Sequence, residues 1–328
     1  MIIAIIGATG LVGRTMLEIL HEFGYLDTCK IILYASSKSS GKAIVIGKQS
    51  FYVNELTKQN INPQIDFALF SAGSNISKLW AKEFTKNGTI VIDNSNTFRR
   101  HKNVPLVVPE INFDSIKPNH KIIANPNCST IGLCVAIAKL NQVNPIKRLI
   151  VSTYQAVSGA GNNAILDLQN NSAKKFPYLI TNNLIPHIDT FLKNGYTKEE
   201  DKLMFEISKI FRIKIPVSAT AVRVPIINCH SESVNIQLNK PISTYSLKKI
   251  FATTAGVTLL DDTTHNLYPM PMQANQTNQV FVGRIRKDST QANSYNFFLS
   301  FDNLRKGAAL NAVQIMHEYI NKFLTLKD

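Results

Sequence analysis

The sequence predicts an α/β chain in two parts: a doubly wound, mostly parallel sheet first, then an α+β region built on a mainly antiparallel sheet. Three observations carry that expectation. Residues 2–6 are a continuous apolar run that opens directly into a glycine-rich turn and then an amphipathic stretch, as in a strand covered on both faces and followed by a helix. Short apolar runs then recur, each ending in small polar residues, which suits strand ends that line a ligand crevice. Beyond residue 127 the runs lengthen and alternate, a pattern that favours antiparallel pairing.

The first part reads in order as follows. After the strand at 2–6, Gly7-Ala8-Thr9-Gly10-Leu11-Val12-Gly13 leads into helical apolar spacing from Leu11 to Phe23. Glycines at these three positions suit a tight turn, backbone approach to a pyrophosphate, and close helix–strand packing. This strand–turn–helix context makes the opening a Rossmann-like dinucleotide-binding domain, with the diphosphate on the helix N-terminus. A second strand, 31–35, ends in Ser36-Ser37-Lys38-Ser39-Ser40-Gly41-Lys42 and offers no acidic residue for a ribose 2′-hydroxyl. Hydroxyls with Lys38 and Lys42 suit a 2′-phosphate better, which points to NADP over NAD, although a solvated loop has the same look. Strands at 67–70 and 89–92 end in Ser71-Ala72-Gly73-Ser74 and Asp93-Asn94-Ser95, placing Ser71 and Gly73 at the crevice. Arg99 in Phe98-Arg99-Arg100 stands where a cation faces an anionic substrate; a surface arginine pair is the commoner outcome. Val107-Val108-Pro109-Glu110 and the run at 122–124 close this part.

Asn125-Pro126-Asn127-Cys128-Ser129-Thr130 joins the parts. Asn and Pro set a turn, Ser129 and Thr130 favour a helix start, and 131–140 reads as a short apolar helix. A thiol there faces backbone N–H groups and the positive end of the helix dipole, which favour thiolate. Cys128 is thereby a candidate nucleophile, and a buried structural cysteine remains an equal alternative at this point. Strands are expected at 148–155, 219–225, 233–237, 278–283 and 296–301, and a long amphipathic helix from 303 toward the C-terminus.

Composition excludes several classes. A charged fraction of 18% against 45% hydrophobic residues is that of a folded domain and argues against a disordered chain. No apolar run approaches the ~20 residues of a membrane span, and the N-terminus lacks a basic leader and reads as a strand, not a signal peptide. Four cysteines without CxxC pairing suggest reduced thiols and a cytoplasmic location, with no metal site. The net charge of +14 comes from scattered lysines; without basic–aromatic interleaving it favours anionic small molecules over nucleic acid.

Together these segments resemble the aspartate-β-semialdehyde dehydrogenase family, over nearly the whole chain. The resemblance rests on the opening glycine turn, 125–130, Ser-Thr-Tyr-Gln-Ala-Val-Ser-Gly-Ala-Gly at 152–161 and Ile-Pro-His-Ile-Asp at 185–189. It continues in Tyr-Thr-Lys-Glu-Glu-Asp-Lys at 196–202, Arg-Val-Pro at 223–225, His-Ser-Glu-Ser at 230–233, Gly-Arg-Ile-Arg-Lys-Asp at 283–288 and Asp-Asn-Leu-Arg-Lys-Gly-Ala-Ala at 302–309. It implies NADPH-dependent reductive dephosphorylation of L-4-aspartyl phosphate to L-aspartate 4-semialdehyde, feeding lysine (through diaminopimelate), threonine, methionine and isoleucine synthesis. It further implies a homodimer or dimer of dimers. The domains would be 1–127 for NADP, completed by 303–328, and 128–302 for catalysis and dimerisation.

By the same resemblance Cys128 is the nucleophile that forms a thioester, since a thiolate displaces phosphate readily. His230 is the acid–base partner, with an ordinary imidazole range near working pH, and Gln155 orients the acyl group. Arg223 takes the substrate α-carboxylate, Glu199 (or Glu200, one position on) the α-ammonium, and Arg99 with Lys202 the phosphate. Thr9, Leu11 and Val12 join the glycines in holding the cofactor, with Ser158, Gly159 and Asn303 on its nicotinamide side. A plain ion pair is the alternative for Glu199 and Lys202, three apart on a helix. His187 is expected to be structural. Three departures stand out: Cys229 where the family usually has glycine, Gly132 for a more usual glutamine, and Glu206-Ile-Ser-Lys-Ile210. The rivals are N-acetyl-γ-glutamyl-phosphate reductase, whose acylated substrate makes an ammonium-binding glutamate superfluous, glyceraldehyde-phosphate dehydrogenase, and a non-catalytic NADP-binding regulator.

Overall fold

A computed structural model of the chain describes residues 1–324; residues 325–328, the end of the segment expected to complete the cofactor domain, lie outside the described residues. The chain divides into two compact units, Met1–Pro126 with the segment from Ala308, and Asn127–Gly307. The division thus falls inside the Asn-Pro-Asn-Cys motif and again inside Asp-Asn-Leu-Arg-Lys-Gly-Ala-Ala.

The first unit runs β1 (Ile2–Ile6), α1 (Leu11–Glu22), α2 (Tyr25–Thr28), β2 (Lys30–Ala35), β3 (Ala43–Ile46), β4 (Gln49–Glu55), β5 (Phe67–Phe70), α3 (Ser74–Thr85), β6 (Ile90–Asp93), α4 (Pro109–Asn112) and β7 (Ile122–Ala124). Its sheet has the order β3-β4-β2-β1-β5-β6-β7, parallel except for the β3–β4 hairpin. Chain order reverses at β1, which pairs with β2 on one side and β5 on the other. That is the switch point at which open α/β sheets bind ligands. The apolar runs of β1, β5 and β6 are buried almost throughout, as strands covered on both faces must be. Val107 and Val108 form no strand: Val107 donates to the Ala124 carbonyl, and Pro109 then opens α4, where a residue without an N–H suits a first helical turn.

The second unit runs α5 (Cys128–Val143), β8 (Ile146–Gln155), α6 (Asn162–Gln169), α7 (Lys198–Phe211), β9 (Val217–Arg223), β10 (His230–Leu238), α8 (Thr244–Ala252), β11 (Val257–Leu259), α9 (Pro271–Ala274), β12 (Val280–Lys287) and β13 (Ser294–Phe301). Its sheet has the order β11-β12-β13-β10-β8-β9. The central pairings are antiparallel, whereas the two outer ones are parallel. α5 is longer than the expected 131–140 and is buried without a break from Ser129 to Ala138, which is why its sequence shows apolar residues all round and no stripe.

The expected C-terminal helix does not start at 303. Residues Arg305–Ala309 form a π-helical turn, closed by Gly307 N–H donating to the Asp302 carbonyl at 3.0 Å. The α-helix, α10 (Leu310–Phe323), follows. Its Val313, Met316 and Tyr319 join Met16, Leu20 and Phe67 in the core of the first unit. No described helix is long and apolar enough to cross a membrane.

Candidate active site

In the second unit, Asn127 caps α5. Its side-chain oxygen accepts from Ser129 and Thr130 N–H at 3.0 and 3.4 Å. The preceding asparagine thus fills two of the N–H donors that the sequence left open at this helix end. Cys128 Sγ lies 3.2 Å from His230 Nε2. His230 opens β10 and is fully buried.

The imidazole has a defined tautomer. Ala156 N–H donates to Nδ1 at 3.1 Å, so the neutral ring carries its proton on Nε2, facing the sulfur. Burial, reinforced by the Arg223 charge and only partly opposed by Glu199, pushes His230 down to about 3. The neutral ring thus presents an N–H donor to the sulfur.

Gln155, Glu199, Lys202 and Arg223 converge in the same unit. The Glu199 carboxylate receives Asn127 Nδ2 at 2.9 Å, Gln155 Nε2 at 3.2 Å and Lys202 Nζ at 3.0 Å. Burial alone raises its pKa, yet Lys202, Asn127 and Arg223 hold it below the ordinary range. Lys202 also reaches Asp189 at 2.8 Å. Glu200 is engaged elsewhere: it accepts from Thr197 N–H at 2.6 Å in the capping box of α7 and from Ala221 N–H at 2.9 Å. Only Glu199 thus faces the Gln155–Lys202 cluster. Arg223 is 5% exposed, donates from Nη1 to the Ala156 carbonyl at 2.6 Å, and leaves its Nε buried without a partner. A buried guanidinium N–H without an acceptor is costly unless a ligand supplies one. Gly159 keeps this space open, since a Cβ there would lie 3.1 Å from His230 Cε1 and 3.3 Å from Arg223 Nη1.

Ser158 and Asn303 meet through Asn303 Nδ2 at 3.0 Å, and Asn303 Oδ1 accepts the Cys229 N–H at 2.9 Å. Cys229 adopts φ +75° just before β10. Glycine tolerates that backbone far better than any residue with a Cβ. Burial and then Asp302 push its thiol up, leaving it a poor nucleophile. Sequence reasoning missed Asn127 as a contact of Glu199; its N-cap position was the available signal. His187 stacks on Phe191 with centroids 4.2 Å apart.

The first unit carries the dinucleotide turn. Gly7 has φ +88°, and a Cβ there would lie 2.9 Å from the Ser71 carbonyl; at Gly13 it would lie 2.3 Å from the Gly7 oxygen. Gly10 caps α1 without a side-chain hydrogen bond, so no side chain caps the first N–H groups of that helix, as an anion-binding helix end requires. After β2, Ser36 precedes a 3₁₀ turn over Ser37–Ser39 that carries Lys38, and Gly73, at φ +84° with nothing within 4 Å of a built Cβ, borders open space. These residues fit a dinucleotide, and no acid follows β2. Arg99 lies in this unit, 6% exposed, with Nε on the Asn125 carbonyl and Nη2 on that of Asn94, each at 2.9 Å. It was expected as a phosphate ligand; in this unit it ties together the chain just after β6 and β7. Among the described residues no cluster of His, Cys, Asp or Glu is arranged to hold a metal.

A glycine-turn dinucleotide domain joined to a unit with a cysteine–histidine centre fits the semialdehyde dehydrogenases, both of whose domain models match this chain. The model described as "Semialdehyde dehydrogenase, NAD binding domain" matches residues 2–118, and "Semialdehyde dehydrogenase, dimerisation domain" matches 137–306. Aspartate-semialdehyde dehydrogenase of Aquifex aeolicus is 46% identical over 95% of this chain and 96% of its own. The Bacillus subtilis enzyme of that name is 43% identical over 95% of each. Among solved structures, aspartate semialdehyde dehydrogenase II of Vibrio cholerae complexed with ASA superposes with a TM-score of 0.94 at 38% identity, covering 98% of this chain and 99% of that one. The chain belongs to the aspartate-semialdehyde dehydrogenase family.

Proposed function

We propose that the protein carries out the NADPH-dependent reductive dephosphorylation of L-4-aspartyl phosphate to L-aspartate 4-semialdehyde through a thioester on Cys128. The observation that carries this reading is the Cys128 Sγ–His230 Nε2 contact of 3.2 Å beside the buried Glu199–Arg223 pair of opposite charges. The Cys128 thiolate attacks the acyl carbon; the C–O bond to phosphate breaks, and phosphate leaves with the electron pair. NADPH, when bound, supplies the hydride that reduces the thioester. The resulting alkoxide accepts a hydrogen bond from His230 Nε2–H, then re-forms a carbonyl and expels the thiolate. Phosphate takes the one proton that the balance needs from solvent. His230 serves throughout as a donor, in keeping with its neutral, Nε2-protonated state.

Arg223 binds the α-carboxylate, a reading supported by its unpartnered Nε. Glu199, with three of its roughly four lone-pair directions occupied, takes the α-ammonium on the fourth. Gln155 orients the acyl oxygen, and Arg99 with Lys202 binds phosphate. Gly7, Thr9, Gly10, Leu11, Val12 and Gly13 hold the diphosphate, and Ser36, Ser37 and Lys38 the 2′-phosphate. Ser71 and Gly73 border the same crevice, and Ser158, Gly159 and Asn303 contact the nicotinamide side. The protein works as a homodimer or a dimer of dimers in the cytoplasm, and the reaction feeds lysine, threonine, methionine and isoleucine synthesis.

The test is the phosphorolytic assay: aspartate semialdehyde, phosphate and NADP⁺, with N-acetylglutamate semialdehyde as control. NADPH formation on the first substrate alone, absent in Cys128→Ala, is expected. Turnover of the acetylated substrate instead would move the assignment to the rival reductase, and turnover of neither to a cofactor-binding regulator.

A further inference from the structure

Phe301 ends β13, is fully buried, and pairs directly across the strands with His230. Its ring meets the imidazole edge-on, with centroids 6.0 Å apart and planes at 70°. Two glycines make room for it. A Cβ on Gly132 would lie 2.3 Å from the ring's Cε1 and 2.5 Å from Cδ1 and Cζ. One on Gly307 would lie 3.3 Å from Cε2 and 3.1 Å from Cys128 Cβ. Gly132 sits one turn along the helix that begins with the nucleophile, and Gly307 sits in the π-helical turn after β13. The ring is therefore packed close to the backbone at Gly132 and at Gly307.

Imidazole χ2 is a broad torsion. The Ala156 N–H fixes Nδ1 as an acceptor, but a single hydrogen bond leaves the ring free to tilt about its line. We infer that Phe301 is a positioning residue: seated between Gly132 and Gly307, it removes that tilt and keeps His230 Nε2–H on the Cys128 sulfur and on the oxyanion formed there. The inference rests on the reading of Cys128 as nucleophile and His230 as its donor. Small misplacements at a reacting centre cost far more in rate than in binding.

The test compares Phe301→Ala, Phe301→Leu and Gly132→Ala in the full-length protein. For Phe301→Ala, kcat is expected to fall by at least about tenfold with KM nearly unchanged. Alkylation of Cys128 by iodoacetamide at fixed pH should slow, and the ¹⁵Nε2 resonance of His230 should shift as its hydrogen bond to the sulfur loosens. Phe301→Leu, which keeps most of the bulk, should recover most of each loss. Gly132→Ala puts a Cβ within 2.3 Å of the ring, forces it to shift and should disturb the same three readouts, so it decides the matter if Phe301→Ala does not fold. A folded Phe301→Ala with unaltered alkylation and an unaltered His230 signature would overturn the inference. Lack of turnover in the unsubstituted protein would sink the substrate assignment, while alkylation and NMR would still decide the role of Phe301.

Discussion

Two buried residues at the centre titrate far from their usual ranges, in opposite senses. His230, pushed by burial down to about 3, stays neutral through working pH, so NMR should find no protonation of its ring between about pH 5 and 8. A titration near its unperturbed value of ~6.5 would contradict the neutral state that burial imposes on the ring. Glu232 on β10 is fully buried, and burial raises its carboxyl well above the ordinary value. The Ser129 hydroxyl nearby opposes that shift, yet neither carboxyl oxygen has a hydrogen-bond partner of good geometry. A raised folded-state value adds stability below the unfolded pKa that is lost as pH rises through the folded one. Glu232→Gln should therefore stabilise the protein increasingly above about pH 4.5, by ~1.4 kcal/mol per pH unit until the folded group ionises. Parallel thermal unfolding curves at all pH values would show Glu232 to be ionised in the fold. Oxidant should inactivate through Cys128 and spare the buried Cys229; equal inactivation with and without substrate would count against that.

At the scale of elements, α5 and α1 carry the most exacting demands. Asn127→Ala should cost ~1 kcal/mol through the lost cap and raise KM through the lost Glu199 contact. Asn127→Ser keeps a capping oxygen, so it should recover the stability and not the KM; recovery of both would remove the amide from substrate binding. Gly13→Ala brings a Cβ within 2.3 Å of the Gly7 oxygen. It should cost ~1–3 kcal/mol by overpacking and weaken NADP⁺ binding in a titration. Strands with a strong pattern were legible: β1, β2, β5, β8 and β13 stand within two residues of the apolar runs that predicted them. The β3–β4 hairpin was not, because it lies at the sheet edge with Val45 and Tyr52 more than half exposed, and a strand with little buried face has little pattern. The π-helical turn was also hidden, since its sequence has good helical spacing and only the Gly307–Asp302 bond shows that the register slips. Motif singled out Cys128 and His230, which the structure brings within 3.2 Å of each other. The tautomer depended on Ala156 N–H, a backbone group whose direction no residue identity encodes.

For the whole molecule, the chain separates a dinucleotide unit from a unit that holds the cysteine, and the reaction needs both. NADP⁺ alone should stabilise the protein by ~2.7 kcal/mol at a hundredfold excess over its Kd, in Cys128→Ala as in the unsubstituted chain. Residues 137–306 match a dimerisation domain, so the thermal midpoint should rise with protein concentration; independence from concentration would argue for a functional monomer. The most direct test of the thioester is a single-turnover experiment without phosphate, mixing enzyme, aspartate semialdehyde and NADP⁺. A burst of one NADPH per subunit, with an acyl group on the Cys128 peptide that hydroxylamine removes, is the expected result. Steady NADPH formation without an acylated Cys128, or a burst that survives in Cys128→Ala, would contradict covalent catalysis at this residue.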